Sequence, residues 1–453
     1  MNFTDILEGQ KTFFNTQKTK SLSFRRIHLE KLREVVVQNE KLLYDAIYKD
    51  FGKSKFETYA VELSFILKDI DYYLKNLKSL AKPKRVSTNL ANQLGSSKIY
   101  SEPLGNTLVI GAWNYPYQLS LSPLVAAMAA GNTCMLKPSE IAENTMKAMA
   151  KIINENFPKD YLFVAEGGVE ETTEILKLKF DKIFFTGSPK VGKIIYEAAA
   201  KHLTPVTLEL GGKSPVVVTS SANFDVAAKR IVWGKFLNAG QTCVAPDYVL
   251  VDEKVKDSFL DSLKMYIQKF KYEAGAEQYT QIINDRNFER LLKLIDQEKV
   301  FYGGNSDASK RFIEPTIMQN VTWEDAVMQE EIFGPILPVL TFKNFNEALI
   351  QINRHEKPLS AYLFTGKSEE KKNFISKISF GGGCINDVAM HLSNEALPFG
   401  GVGNSGIGNY HGKFGFEAFS HQKGILDRAT WGEPDLKYPP YSEKKLKWIK
   451  KLL

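Results

Sequence analysis

The residue best suited to attack a carbonyl carbon is Cys243, which ends the run FLNAGQTC. A thiol attacks as its thiolate, and a free cysteine with a pKa of about 8.5 is only a few per cent ionised at neutral pH. A base or a local field must help it. Glu209, in LELGGKSP, is a candidate base, because it ends an apolar strand where an unpaired carboxylate would otherwise be a liability. The two glycines after it leave room for a ligand or a close chain approach. Taken singly, each residue has a plainer account: Cys243 as a buried structural thiol, Glu209 as a salt-bridged strand end.

A second group has the pattern of a phosphate site. The strand KIFF leads into TGSPKVG, so Gly187 allows a tight approach, Ser188 can cap a helix or donate to a phosphate, and Pro189 suits a first helical position. A helix starting there would hold a pyrophosphate at its N-terminus. The spacing from Gly187 to Gly192 is GxxxxG rather than GxGxxG, and a capped strand-to-helix turn accounts for it equally well. The histidines, His28, His202, His355, His391, His411 and His421, show no paired-ligand spacing, and Cys134, Cys243 and Cys384 form no CxxC motif, so no metal site is expected.

The elements that must position these groups are legible as pattern. Over 105–210 short apolar runs alternate with helical stretches, which predicts a parallel, doubly wound sheet with ligands at the carboxyl ends of its strands. After Gly211 the same grammar restarts with SPVVVTS, a helix over 227–236, YVLVDE and a helix over 255–272, so a second α/β unit runs to about 404. Upstream, 24–80 carries apolar residues at helical spacing, such as Leu29, Leu32 and Val36, then Leu63, Ile66 and Leu67, and predicts helices outside a sheet. The polar stretch 81–102 reads as an excursion from the first unit.

Composition bounds the rest. A chain of 453 residues exceeds one ordinary core, and 43% apolar with 25% charged residues is too balanced for general disorder. A net charge of +7 is too thin to imply a nucleic-acid surface. No run approaches the roughly 20 apolar residues of a membrane span, MNFTDILEGQKTFF lacks the pattern of a signal peptide, and an odd set of widely spaced cysteines fits a reducing cytoplasm.

Together FLNAGQTC, LELGGKSP, WNYP, KPSE, FTGS, EEIFGP and LPFGGVGNSGIG resemble the aldehyde dehydrogenase superfamily, in that family's order and over about 105–408. The absence of a longer N-terminal arm and the run FGGVGNSGIGNYHGKFGFEAFSH resemble its class 3 branch, which acts on fatty and aromatic aldehydes and has bacterial members that oxidise polyene aldehydes. The resemblance implies NAD(P)-dependent oxidation of an apolar aldehyde to a carboxylic acid. Cys243 would be the nucleophile that carries a hemithioacetal and then a thioester, Glu209 the general base for hydrolysis, and Asn114 of WNYP an oxyanion donor beside the Cys243 N–H.

The resemblance further implies that Lys137 and Glu140 hold the adenosine ribose, that Gly187, Ser188 and Gly192 approach the pyrophosphate, and that Glu331 and Phe333 hold the nicotinamide ribose and ring. A carboxylate at the ribose hydroxyls repels a 2′-phosphate, so NAD is expected over NADP, although this branch accepts both. Without the resemblance, Asn114 reads as a turn cap before Pro116 and Glu331 as a solvated loop acid.

The implied architecture is a parallel-sheet cofactor domain (1–80 and 103–210), an α/β catalytic domain (211–404) and a bridging element (81–102 and 412–453) that joins a homodimer. In the tail, Lys444, Lys445, Lys447, Lys450 and Lys451 alternate with Leu446, Trp448, Ile449, Leu452 and Leu453. That pattern suits a short helix resting peripherally on anionic lipid, or a tail packed on a partner subunit. Three rivals remain: a CoA-acylating relative, which Glu209 argues against; a cofactor-free cysteine hydrolase, which needs a His at Cys243; and a catalytically silent protein on the same fold.

Overall fold

The computed structural model describes residues 2–452, so Leu453 of the basic tail, with the side chain of Leu452, lies outside it. The chain is mixed α/β and is built on two mainly parallel sheets. The first has six strands in the order Gly406–Ile407, Val206–Glu209, Lys182–Thr186, Asn106–Ile110, Thr133–Lys137, Leu162–Val164. All run parallel except Gly406–Ile407, which pairs antiparallel with the outer side of Val206–Glu209. Asn106–Ile110, Thr133–Lys137 and Lys182–Thr186 are buried at every residue, which is why they read as continuous apolar runs rather than alternating ones.

The chain enters this sheet at Asn106–Ile110, adds Thr133–Lys137 and Leu162–Val164 on one side, then crosses to add Lys182–Thr186 and Val206–Glu209 on the other. The order therefore reverses between Asn106–Ile110 and Lys182–Thr186, the kind of switch point at whose carboxyl ends ligands bind in such sheets. The loops that leave those ends carry Asn114 and Gly187.

The second sheet has seven strands: Val300–Tyr302, Thr316–Met318, Ile336–Phe342, Tyr248–Asp252, Pro215–Val218, Ser360–Phe364 and Gly382–Ile385. Only the Val300–Tyr302 edge is antiparallel. A third, smaller sheet joins Lys84–Val86, Gly95–Pro103 and Ser420–Arg428. Its main ladder runs antiparallel from Ser420 opposite Pro103 to Arg428 opposite Gly95.

The helix Gln118–Ala130 lies against one face of the first sheet, and helices from the N-terminal segment pack over it. Leu22–Gln38 buries Leu29, Leu32, Val35 and Val36, and Ser64–Ala81 buries Ile66, Leu67, Ile70, Tyr73 and Leu77, the three-and-four spacing of an apolar stripe. Between Lys55–Thr58 and Ser64–Ala81 the helix widens into a π turn, Tyr59–Leu63. Gln118–Ala130 is buried all round. It ends at Gly131, whose φ of 96° favours glycine and where an added Cβ would meet the Arg25 guanidinium at 2.5 Å.

Buried Arg25 donates to the carbonyls of Thr19 (2.9 Å), Lys20 (3.2 Å) and Ala129 (3.1 Å) and so ties the start of Leu22–Gln38 to the end of the helix that follows Asn114. Arg25→Ala removes these charge-assisted bonds and strands buried carbonyls. It is expected to cost about 3 kcal/mol, read as an earlier urea midpoint with an unchanged slope; an unchanged midpoint would count against this linkage.

Candidate active site

Asn114 and Cys243 arrive from different sheets and are tied directly to each other's loops. The helix Phe224–Phe236 runs into a tight turn in which Asn238, Ala239 and Gly240 all take positive φ, at 54°, 52° and 73°. Gly240 has no alternative, since a Cβ there would lie 2.3 Å from the Gly334 carbonyl oxygen. The other two conformations are costly for residues with a Cβ and persist only where the surroundings over-determine them.

Here they do. Asn238 Nδ2 donates to the carbonyls of Asn114 (2.9 Å) and Gln241 (3.1 Å). The Gln241 amide donates to the carbonyls of Asn238 (3.1 Å) and Gln281 (3.0 Å) and accepts from the Ile283 N–H (3.0 Å). Asn114 Nδ2 donates to the Gln241 carbonyl at 3.0 Å. After Cys243, the Tyr362 hydroxyl donates to the Val244 carbonyl at 2.6 Å.

Cys243 is half-buried, and its thiol is pushed up to about 12, first by desolvation and then by the carboxyl groups of Glu331 and Glu209. Glu209 ends its strand 3% exposed, and among the described residues neither of its carboxyl oxygens has a hydrogen-bond partner. Burial alone pushes it well above the usual carboxylate range. Tyr410 senses both Glu209 and Cys243, which puts its hydroxyl in the same neighbourhood. A histidine does meet a thiol elsewhere, but that thiol is Cys384, 3.6 Å from His391 Nδ1.

Glu331 is not the solvated loop acid of the plainer reading. It is half-buried and held up at about 8, chiefly by desolvation. A Cβ on Gly211 would lie 2.0 Å from its Oε2, so the first glycine after Glu209 leaves the space that Glu331 occupies. Phe333, at a φ of 51°, turns its ring edge-on to Trp113 with centroids 5.4 Å apart. The loop bearing both is fixed by Lys213, which pairs with Asp247 (2.5 Å) and donates to the Val327 and Glu330 carbonyls, while Asp247 accepts from the Ile332 N–H.

The phosphate-site residues sit on the neighbouring strand ends. Ser188 caps Pro189–Ala200 by accepting from the Val191 N–H at 3.4 Å, and Pro189 takes the first helical position. A Cβ on Gly187 would press on the Phe185 ring (2.5 Å); Gly192 packs on Leu210, where a Cβ would lie at 2.7 Å. Lys137, buried at the end of Thr133–Lys137, donates to the Pro138 carbonyl and stands 3.8 Å from the exposed Glu140. Burial lowers the Lys137 pKa against the raising effect of Glu140 and Glu171. A helix N-terminus with a lysine and a carboxylate at the carboxyl ends of the same parallel sheet fits a dinucleotide.

Several residues that build this site carry no motif of their own. Asn238 and Gln241 are inside FLNAGQTC and Lys213 is inside LELGGKSP, so their presence was visible but not their bonding. Lys53 and Glu62, which lie behind the Asn114 loop, left one signal: Glu62 interrupts an apolar helical stretch, AVELSF, at a position the periodicity assigns to the interior.

The sequence model described as "Aldehyde dehydrogenase family" matches residues 4–425. The 4,4'-diaponeurosporen-aldehyde dehydrogenase of Staphylococcus aureus (strain NCTC 8325 / PS 47) is 48% identical over 445 residues, 97% of this chain and 96% of that relative. Aldehyde dehydrogenase family 3 member A2 of Rattus norvegicus is 46% identical over 441 residues, 96% and 91% of the two chains. The dimeric NADP-preferring aldehyde dehydrogenase of the same organism is 45% identical over 444 residues, 97% and 98%. Among solved structures, the substrate-bound state of Staphylococcus aureus AldH superposes with a TM-score of 0.96 at 46% identity, covering 100% of this chain and 99% of that one. On the fold, the family match and these relatives, the chain belongs to the aldehyde dehydrogenase family and is an oxidoreductase that acts on aldehydes with NAD or NADP.

Proposed function

We propose that the chain oxidises an apolar aldehyde, of medium or long chain, aromatic or polyene, to its carboxylic acid through a thioester on Cys243. The observation that carries this reading is the convergence of Cys243, Glu209 and Asn114 from three chain segments, with Glu209 left buried and unpartnered. The substrate class is supported by the names of the relatives, one of which is a polyene aldehyde dehydrogenase.

In this reading the Cys243 thiol gives its proton up to solvent water, and its sulfur adds to the carbonyl carbon. The alkoxide that forms is met by the Cys243 N–H and by Asn114 Nδ2, which has two hydrogens and uses one on Gln241. Ser188 at its helix terminus, Lys137 with Glu140, and Glu331 with Phe333 would hold NAD(P)+, which would supply the hydride acceptor when bound. Glu209 then takes a proton from water as the water oxygen attacks the thioester, and the Cys243 thiolate leaves. The carboxylate of Glu140 disfavours a 2′-phosphate, so NAD is preferred and NADP accepted.

The units 1–80 with 103–210, and 211–404, are taken as cofactor and catalytic domains, with 81–102 and 412–453 as a bridging element that joins a cytoplasmic homodimer. Among the described residues no helix is long and apolar enough to cross a membrane. The helix Glu443–Leu452 exposes Leu446 and Trp448 among its lysines, which supports peripheral contact with an anionic membrane surface.

Cys243→Ala is expected to abolish aldehyde oxidation. Glu209→Gln is expected to form about one equivalent of NADH in the first turnover and then to release acid about 10²-fold more slowly. An unchanged steady-state rate in that variant, or acyl-CoA replacing free acid at comparable turnover when CoA is added, would overturn water activation by Glu209. A thiol held protonated by burial should also react slowly. In cofactor-free protein, alkylation of Cys243 by iodoacetamide is expected to run at least about tenfold slower than a free cysteine near neutral pH and to keep rising above pH 10. A rate already flat by pH 9, followed by intact mass, would contradict it.

A further inference from the structure

Behind the Asn114 loop lies an ion pair that the reaction as proposed does not use. Lys53, between the helices Glu40–Phe51 and Lys55–Thr58, and Glu62, in the π turn Tyr59–Leu63, have side chains 0% exposed, with Lys53 Nζ 2.7 Å from Glu62 Oε1. Nζ also donates to the Asn114 carbonyl at 3.2 Å and stands 4.3 Å from the centre of the Tyr115 ring. The second oxygen of Glu62 accepts from the N–H groups of Tyr117 (2.8 Å) and Gln118 (3.4 Å). One ion pair thus grips the loop at Asn114, Tyr115, Tyr117 and Gln118.

Stability alone is a poor account of this pair. Taking two charges out of water costs about as much as their attraction returns, and an apolar pair of similar volume often serves the fold as well. What a buried, fully bonded pair supplies is direction. The Asn114 carbonyl is the node: Lys53 holds it from one side and Asn238 from the other, and Asn238 also holds the Gln241 carbonyl on which the Asn114 side chain rests. A third acid, Glu57, is buried in the same cluster, accepts from Thr280, and senses Lys53 and the Asn238 N–H. The cluster therefore touches the Asn114 loop and the turn before Cys243 at once. A π turn, uncommon and frequent at functional sites, is the local distortion that carries Glu62.

We propose that Lys53 and Glu62 are positioning residues for aldehyde oxidation: gripping the backbone of the Asn114 loop from behind, they aim the Asn114 amide at the oxyanion beside Cys243. This rests on the roles proposed above for Asn114 and Cys243, and the test separates the two. Glu62→Gln and the double variant Lys53→Met/Glu62→Gln are each made in the native and the Asn114→Ala backgrounds. The double variant removes both charges of the pair at similar volume and leaves Glu57, which accepts from Thr280, as the remaining acid of the cluster.

In the native background kcat is expected to fall about 10- to 100-fold, with KM for aldehyde and cofactor and the alkylation rate of Cys243 each changed by no more than about twofold. In the Asn114→Ala background the same substitutions are expected to change kcat by no more than about twofold further, the mark of action through one group. An equal fold-loss in both backgrounds, a native kcat in a folded double variant, or failure of both variants to fold would overturn the proposal. Full activity in Asn114→Ala alone would instead fail the underlying reading before the pair is touched.

Discussion

The Asn114 side chain donates to the Gln241 carbonyl, and through that bond the end of a strand in the six-stranded sheet is registered against the turn that leads to Cys243. The two groups belong to different sheets, and each sheet has its own apolar core. Two packed bodies can slide by an ångström at small cost unless directional bonds join them, and catalytic geometry tolerates less than that. Asn238 and Gln241 supply those bonds with side-chain amides, which both donate and accept. This explains a left-handed Asn238–Ala239 pair in the middle of the site: the conformation is costly, and the amide network is what over-determines it.

Around that seam the electrostatics are unusual for a site that needs a thiolate. Glu209 and Glu331 both face the Cys243 sulfur, and burial holds both acids toward their neutral forms. Burial is the leading cause for each group: it alone raises Glu209, it is the chief cause at Glu331, and at Cys243 it acts together with the two neighbouring acids. Lys213 with Asp247 and Lys53 with Glu62 are where charge is actually paired, one beneath the Glu331 loop and one beneath the Asn114 loop.

How much of this was readable in advance follows from what each scale of pattern encodes. Apolar runs such as LVI and IFF, alternating with helical spacing, announce buried parallel strands because burial on both faces leaves no other composition available. The chemical residues stood out because a glutamate at an apolar strand end and a cysteine after a glycine-rich run are locally expensive choices. Glu331 was the hard case: one carboxylate in a polar loop carries no mark of burial, and its shelter comes from Gly211, more than a hundred residues away. The same holds for Lys53, an ordinary lysine until Asn114 and Glu62 close over it. Lys84–Val86, three exposed residues, left no apolar pattern to read, whereas the nine-residue Gly95–Pro103 strand falls where the polar stretch 81–102 ends in an alternating run.

The strand that ends in Glu209 is completed on its outer side only by Gly406–Ile407, and Gly95–Pro103 finds its long partner only in Ser420–Arg428. A ribosome delivers these segments in order, so the early sheet must wait with an open flank while the whole of the second sheet is synthesised. Unpaired strand edges are templates for the wrong neighbour, and contacts this distant along the chain form slowly. Biogenesis, rather than the finished molecule, is thus where this topology is most exposed: the flank of the early sheet stays open until the segment from Gly406 to Arg428 has been made.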